Sequence, residues 1–181
     1  CLAQLNQKVL VVDLDSQANL SYGLGFEEER EQNTYHLITD SVTSVEKIVI
    51  TTGVPNLDLA PGSIVLANAD FDLRQIVMGE AILKKKLEEV RRNYNYILID
   101  CPPSLGHIVG AAVLAADGLI VPVPLQQFSI VGLKNLVMFL AVILQRAKAT
   151  CPVHVLPNMV DNRIRIAQEI FDELKSNFPG E

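Results

Sequence analysis

Cysteine is scarce and odd in number: Cys1, Cys101 and Cys151, with no C-x-x-C pair and no His-rich spacing around them. That pattern indicates neither a disulfide framework nor a zinc site, and it fits a reducing cytoplasm. Long hydrophobic runs are missing as well. The longest, Leu136 to Leu144, has nine residues, against roughly 20 for a membrane-spanning helix. It reads as a helix face buried in protein, no signal peptide is visible, and no membrane partner is expected. An excess of positive charge is also absent. The formal net charge of −6 excludes a generally basic nucleic-acid binder, so DNA contact would need a local patch. The pattern G-x-x-x-x-G-K-S/T occurs nowhere, and the close pair Gly23-Leu24-Gly25 reads as a helix C-cap. There is no G-x-S-x-G elbow, which leaves Cys101 or Ser104 as a nucleophile, with His107, without support. No repeat, low-complexity segment or linker interrupts the chain.

What remains is an ordinary globular composition, 49% hydrophobic and 20% charged over 181 residues, enough to bury a real core. Two apolar runs end on acid. Tyr96-Ile97-Leu98-Ile99-Asp100 runs into the breaker Cys101-Pro102-Pro103, and Val9-Leu10-Val11-Val12-Asp13 runs into Leu14-Asp15. A short continuous apolar run of this kind reads as a buried strand of a parallel sheet, and the prolines stop it. Carboxylates then lie at the carboxyl ends of strands, the edge where open α/β sheets bind ligands. Asp13, Asp15 and Asp100 together suit a hard cation such as Mg²⁺ with phosphate oxygens.

Between these runs strands and helices alternate. Asn19 to Leu24 reads as a short helix, 27–31 as a charged loop, and Thr34 to Ile38 as a helix capped by Thr34. Val45 to Val49 is a further short helix, 51–56 a turn, and Leu57 to Ala60 a strand stopped by Pro61-Gly62. Ser63 caps a helix to about Ile76, and another spans about Met78 to Asn93, whose Lys84-Lys85-Lys86 run reads as a solvated face. Beyond Asp100, helix 108–116, strand 119–124, a long helix to Lys148, strand 153–158 and helix 164–177 complete the pattern. The whole is an α/β, doubly wound, mostly parallel sheet with helices on both faces.

The two acidic motifs resemble the deviant-Walker ATPases of the ParA/MinD/Soj group. That family carries an aspartate-x-aspartate-proline-glutamine-glycine-asparagine segment and, later, isoleucine-aspartate-cysteine-proline-proline-serine-leucine-glycine. The second matches at every position from Ile99 to Gly106. Gln17-x-Asn19 and Cys101-Pro102-Pro103 follow the ParA pattern rather than the MinD one. The resemblance implies a P-loop NTPase-like fold whose phosphate loop and first, interior strand would precede Cys1, beside the strand ending at Asp100. Residues 1–181 would then be a single incomplete domain, with further strand and helix after Glu181. Cys1 to Gln7 would be the end of the helix that follows the loop. Without that loop's lysine and N–H cradle, the chain by itself is expected to be inactive.

The resemblance also assigns roles. Asp100 would hold Mg²⁺ through a water, Asp15 would orient the attacking water, and Asp13 would support the metal's outer shell. Gln17 and Asn19 fall in the segment sensing the γ-phosphate of ATP, while Pro102 and Pro103, with Ser104 and Gly106, form a second switch. Pro157, Asn158 and Asp161 match the segment that receives the adenine. For Asn158 a turn-capping role stands beside this one. Ser16 replaces the usual proline, Ala18 a glycine, and Val160 a common aromatic residue. A glycine at position 18 would permit positive φ.

The function implied is an ATP-dependent dimerisation switch. A homodimer forms with ATP, binds DNA without sequence preference, and is released when a partner protein stimulates hydrolysis. It would work in the cytoplasm on the nucleoid, in plasmid or chromosome partitioning or cargo positioning. Arg163, Arg165 and Lys175 are the candidate DNA patch. The alternative is a non-catalytic interaction protein that keeps the fold and has lost nucleotide chemistry. A MinD-like membrane switch would need a carboxy-terminal amphipathic helix.

Overall fold

Strand β1 (Val9–Asp13) is the centre of the first sheet and is buried along its whole length. Its alternation explains this. Leu10 and Val12 face one hydrophobic cluster, and Val9 and Val11 face another, so both sheet faces are covered. Each fully buried leucine or valine of this kind stabilises the fold by about 1.5–3 kcal/mol. The computed structural model describes residues 1–28, 30–126, 129–160, 170–172 and 174. They fall into two compact units, Cys1–Ala115 and Ala116–Glu181.

In the first unit, a 3₁₀ turn at Ala3–Leu5 closes on Asn6 in the left-handed region and leads into β1. This is tighter than the helix end expected there, because Asn6 tolerates that conformation and breaks the helix. After β1 come α1 (Asn19–Gly23), α2 (Thr34–Thr39), α3 (Val45–Ile48), β2 (Ile50–Thr51), β3 (Leu57–Ala60), a 3₁₀ turn at Ile64–Asn68, α4 (Ala69–Gln75), α5 (Ile82–Val90), β4 (Tyr96–Asp100) and α6 (His107–Ala115). The strand order is β2-β3-β1-β4, with β1 parallel to β3 and β4. The edge strand β2 is antiparallel to β3 and lies partly where a turn was expected. It has only two residues, too short to show an apolar period. Among the described residues β4 has no partner on its other edge, and Tyr96 and Leu98 are exposed there.

Local capping differs from the sequence expectation in one place that matters. Asn33, not Thr34, caps α2, its Oδ1 accepting from the Tyr35 amide at 3.0 Å. Thr34 instead turns its hydroxyl inward, 2.7 Å from the Asp13 carbonyl and 3.1 Å from that of Pro61. Ser63 does cap its turn, accepting from the Val65 amide. The lysine run on α5 is not wholly solvated. Lys86 is buried and its ammonium donates to the carbonyls of Ser41 and Thr43. Only hydrogen bonding makes a buried charge tolerable, and the two carbonyls supply it.

In the second unit, β5 (Leu119–Pro124) and β6 (Val153–Asn158) pair in parallel, and α7 (Ser129–Ala147) joins them. Val123, Leu125 and Leu133 pack with Ile170 and Leu174. None of the described helices is long and apolar enough to cross a membrane. Asp161, Arg163, Arg165 and Lys175 lie outside the described residues.

Candidate functional site

The two acidic strand ends meet. Asp13 and Asp100 are register partners at the carboxyl ends of β1 and β4, and the Leu14 amide donates to the Asp100 carbonyl at 2.9 Å. The shared sheet edge is set by strand pairing, because both prolines after Cys101 and the turn after Asp13 end the ladder there.

Asp13 is fully enclosed. Its Oδ2 accepts from the Ser21 amide at 2.9 Å and the Ser21 hydroxyl at 2.7 Å, and its Oδ1 accepts from the Asp15 amide at 3.2 Å. Against its other side lies Gly62, where a Cβ would come within 2.8 Å of the carboxylate carbon. A side chain so enclosed meets the site through the loop it holds rather than through solvent. That loop carries Asp15, whose Oδ1 accepts from the Gln17 amide at 2.9 Å and whose carbonyl accepts from Ala18. Ala18 takes φ of 50°, the left-handed conformation expected of the usual glycine, despite its Cβ. The loop shape is therefore kept at a strain of about 1–2 kcal/mol. Gln17 and Asn19 are exposed beside it.

On β4, Asp100 is exposed, yet its pKa is raised. Partial desolvation is the main cause, followed by the like charges of Asp13 and Asp15. Among the described residues no three His, Cys, Asp or Glu side chains converge to hold an ion alone. Mg²⁺ fits this arrangement, since it binds through one or two carboxylates together with phosphate oxygens rather than in an all-protein cage. The charge that raises Asp100 is also what a cation would relieve. The raised pKa has a consequence for stability. Above the ordinary value of 3.8 the native state holds a proton that the unfolded chain releases, so stability falls as pH rises through that window. Asp100→Asn is thus expected to stabilise the metal- and nucleotide-free protein at pH 7 by up to about 1 kcal/mol, the scale of screened pairs. The gain should vanish by pH 3, as urea unfolding at both pH values would show.

Burial, and then Asp100, push the Cys101 thiol up to about 12, so it stays protonated and is no nucleophile. Pro102 is half-buried and Pro103 exposed. The segment they open is fixed at its far end by Asp70 of α4, whose Oδ1 accepts from the Ile108 amide at 2.8 Å at the start of α6. His107 is engaged by Glu80, 2.8 Å away, and among the described residues no triad forms around it. Pro157 and Asn158 lie at the end of β6 in the second unit. Asn158 is exposed, and its Oδ1 accepts from the amide of the next residue, Met159, at 2.9 Å. Sequence reading missed Ser21, Gly62, Thr34 and Asp70. Only the Pro61-Gly62-Ser63 breaker was visible, as the end of a strand.

A family model described as an AAA domain matches residues 1–152. The chain is 36% identical over 180 residues to the sporulation initiation inhibitor protein Soj of Bacillus subtilis, covering 98% of this chain and 71% of that protein. It is 33% identical over 178 residues to the chromosome-partitioning ATPase Soj of Treponema pallidum, covering 98% and 69%. Among solved structures, a Cyanothece McdA variant in complex with ATP superposes with a TM-score of 0.87 at 25% identity, covering 98% of this chain and 72% of that one.

Proposed function

The chain belongs to the ParA/Soj family of partitioning ATPases, with its α/β, P-loop NTPase-like fold, and from that premise we propose that it is the catalytic and switching part of an ATP-dependent dimerisation switch. The observation that carries this reading is the meeting of Asp13 and Asp100 at one sheet edge, with Asp15 held in a built loop beside them. Its residues fit Mg²⁺-ATP as substrate. Asp100 would hold the ion through water, next to the β- and γ-phosphates, and the ion would supply charge neutralisation there. Asp15 would orient the water that attacks the γ-phosphate, because its Oδ1 is tied to Gln17 while its Oδ2 makes no hydrogen bond among the described residues. Gln17, Asn19, Pro102 and Pro103 line the two segments whose shape would differ between ATP and ADP states. Pro157, Asn158 and Asp161 would receive the adenine. The McdA complex with ATP supports the nucleotide, and the Treponema pallidum Soj relative supports partitioning of a chromosome.

In this reading ATP makes a homodimer, the dimer binds DNA without sequence preference in the cytoplasm, and a partner protein stimulates hydrolysis. Since the net charge is −6, DNA binding must come from a local patch formed on dimerisation. Full-length protein with Mg²⁺-ATP is expected to sediment as a dimer and to bind unrelated duplexes equally. Its affinity should fall with salt at a log–log slope of about −0.9 for each phosphate contacted. Binding that is unchanged by ATP or indifferent to salt would overturn the switch.

A further inference from the structure

We propose that Ser21, acting with Gly62 through Asp13, is a positioning residue for ATP hydrolysis. This rests on the hydrolytic role proposed for Asp15. The Ser21 hydroxyl sits between two partners that are distant in sequence. It donates to Asp13 Oδ2 at 2.7 Å and accepts from the Gly62 amide at 3.0 Å. Ser21 and Asp13 are both withdrawn from solvent, at 2% and 0% exposure, so water cannot replace either bond. The carboxylate of Asp13 is thereby held against the turn after β3, and its remaining oxygen holds the Asp15 amide at 3.2 Å. The 2.7 Å bond from the Ser21 hydroxyl is the short, directional one of the set, and the 3.2 Å bond to the Asp15 amide is longer and depends on it for its aim. The peptide that presents Asp15 is therefore aimed from behind, by a hydroxyl that touches no substrate.

Gly62 completes the device. A Cβ there would meet the Asp13 carboxylate at 2.8–3.0 Å from all three of its atoms, so only glycine lets the turn close onto it. Thr34 adds a hydroxyl bond to the Asp13 carbonyl, which fixes the backbone of the same residue. Without the Ser21 hydroxyl, Asp13 Oδ2 keeps only the Ser21 amide, and the Gly62 amide loses its acceptor. Asp13 is then held by one bond fewer, and the position in which it presents Asp15 is less sharply fixed. Misplacement of a water-orienting group by about 1 Å costs on the order of a hundredfold in rate.

The test compares five full-length proteins: wild type, Ser21→Ala, Ser21→Thr, Asp15→Ala and the Ser21→Ala/Asp15→Ala double variant, in single-turnover hydrolysis at saturating Mg²⁺-ATP, with nucleotide affinity measured separately. Ser21→Ala is expected to lower the rate at least about tenfold while leaving ATP affinity within about threefold, and Ser21→Thr, which keeps the hydroxyl, to recover most of it. In the Asp15→Ala background Ser21→Ala should change the residual rate by less than about twofold, because the group it positions is gone. An equal loss in both backgrounds, or a loss of affinity matching the loss of rate, would mean a merely structural role and overturn the inference. Full hydrolysis by Asp15→Ala would instead overturn the reading on which it rests. If Ser21→Ala fails to fold by circular dichroism, Ser21→Cys, of similar volume with a weaker donor, carries the same comparison.

Discussion

Asp15→Ala in the full-length protein is expected to lower ATP hydrolysis at least about a hundredfold while leaving ATP affinity within about threefold. The carboxylate of Asp15 sits in the turn after β1, one oxygen occupied by the Gln17 amide. In the proposed mechanism its removal takes away the group that orients the attacking water and leaves the strand ends intact. Asp100→Ala acts on the other function. It removes the exposed carboxylate whose pKa is raised partly by Asp13 and Asp15, the place where a cation would relieve like charge. Mg²⁺-dependent ATP binding should weaken at least about tenfold, the usual loss for a residue holding a metal through its outer shell. Titration of a fluorescent ATP analogue with and without Mg²⁺, followed by turnover, separates the two variants. Equal loss of binding in both would contradict this division of labour.

The fold was legible where side-chain period and breakers coincide. Val9 to Asp13 and Tyr96 to Asp100 are apolar runs with an acid and a turn at their ends, and both are strands with the expected limits. The same signal placed Asp13 and Asp100 on one edge, since two parallel strands that end on acid share it. Less was legible of how the site is held. Ser21, Gly62 and Asp70 reach the motifs across 8, 49 and 38 positions of chain, and no periodicity encodes such contacts. Thr34 shows the limit clearly. As a residue type it suits a helix cap, and its local environment offers one. A tertiary acceptor, the Asp13 carbonyl, takes its hydroxyl instead, and Asn33 supplies the cap. Lys86 likewise belongs to a charged run by sequence but is drawn inward by two loop carbonyls. Ala18 is the opposite case. The pattern asked for glycine, and the backbone keeps glycine's conformation although the residue does not favour it.

Gly106→Ala is expected to destabilise the protein by about 1–3 kcal/mol, and to cost almost nothing more once Asp70→Ala is in place. Gly106 closes the second motif, and its φ lies outside the left-handed region, so space alone requires glycine there. A Cβ would stand against Asp70 Oδ2 and 2.6 Å from the carboxylate carbon, closer than any real contact. Something must move, and the carboxylate has the least freedom to do so. Its other oxygen caps α6 through the Ile108 amide. Displacing it leaves that helix start without its acceptor, a loss of about 0.5–2 kcal/mol by itself. The loop from Pro102 to Gly106 would shift with it, so hydrolysis should fall as well. Asp70→Ala alone forfeits the cap without a clash. The double variant therefore lacks both the cap and the crowding, and its stability should lie close to that of Asp70→Ala. Guanidinium unfolding of the four proteins gives the cycle. A strongly non-additive result, with the second substitution costing almost nothing in the presence of the first, supports the close approach of Asp70 to Gly106. Simple addition of the two losses would mean that the carboxylate does not stand against the glycine in solution, and that α6 is held by other means.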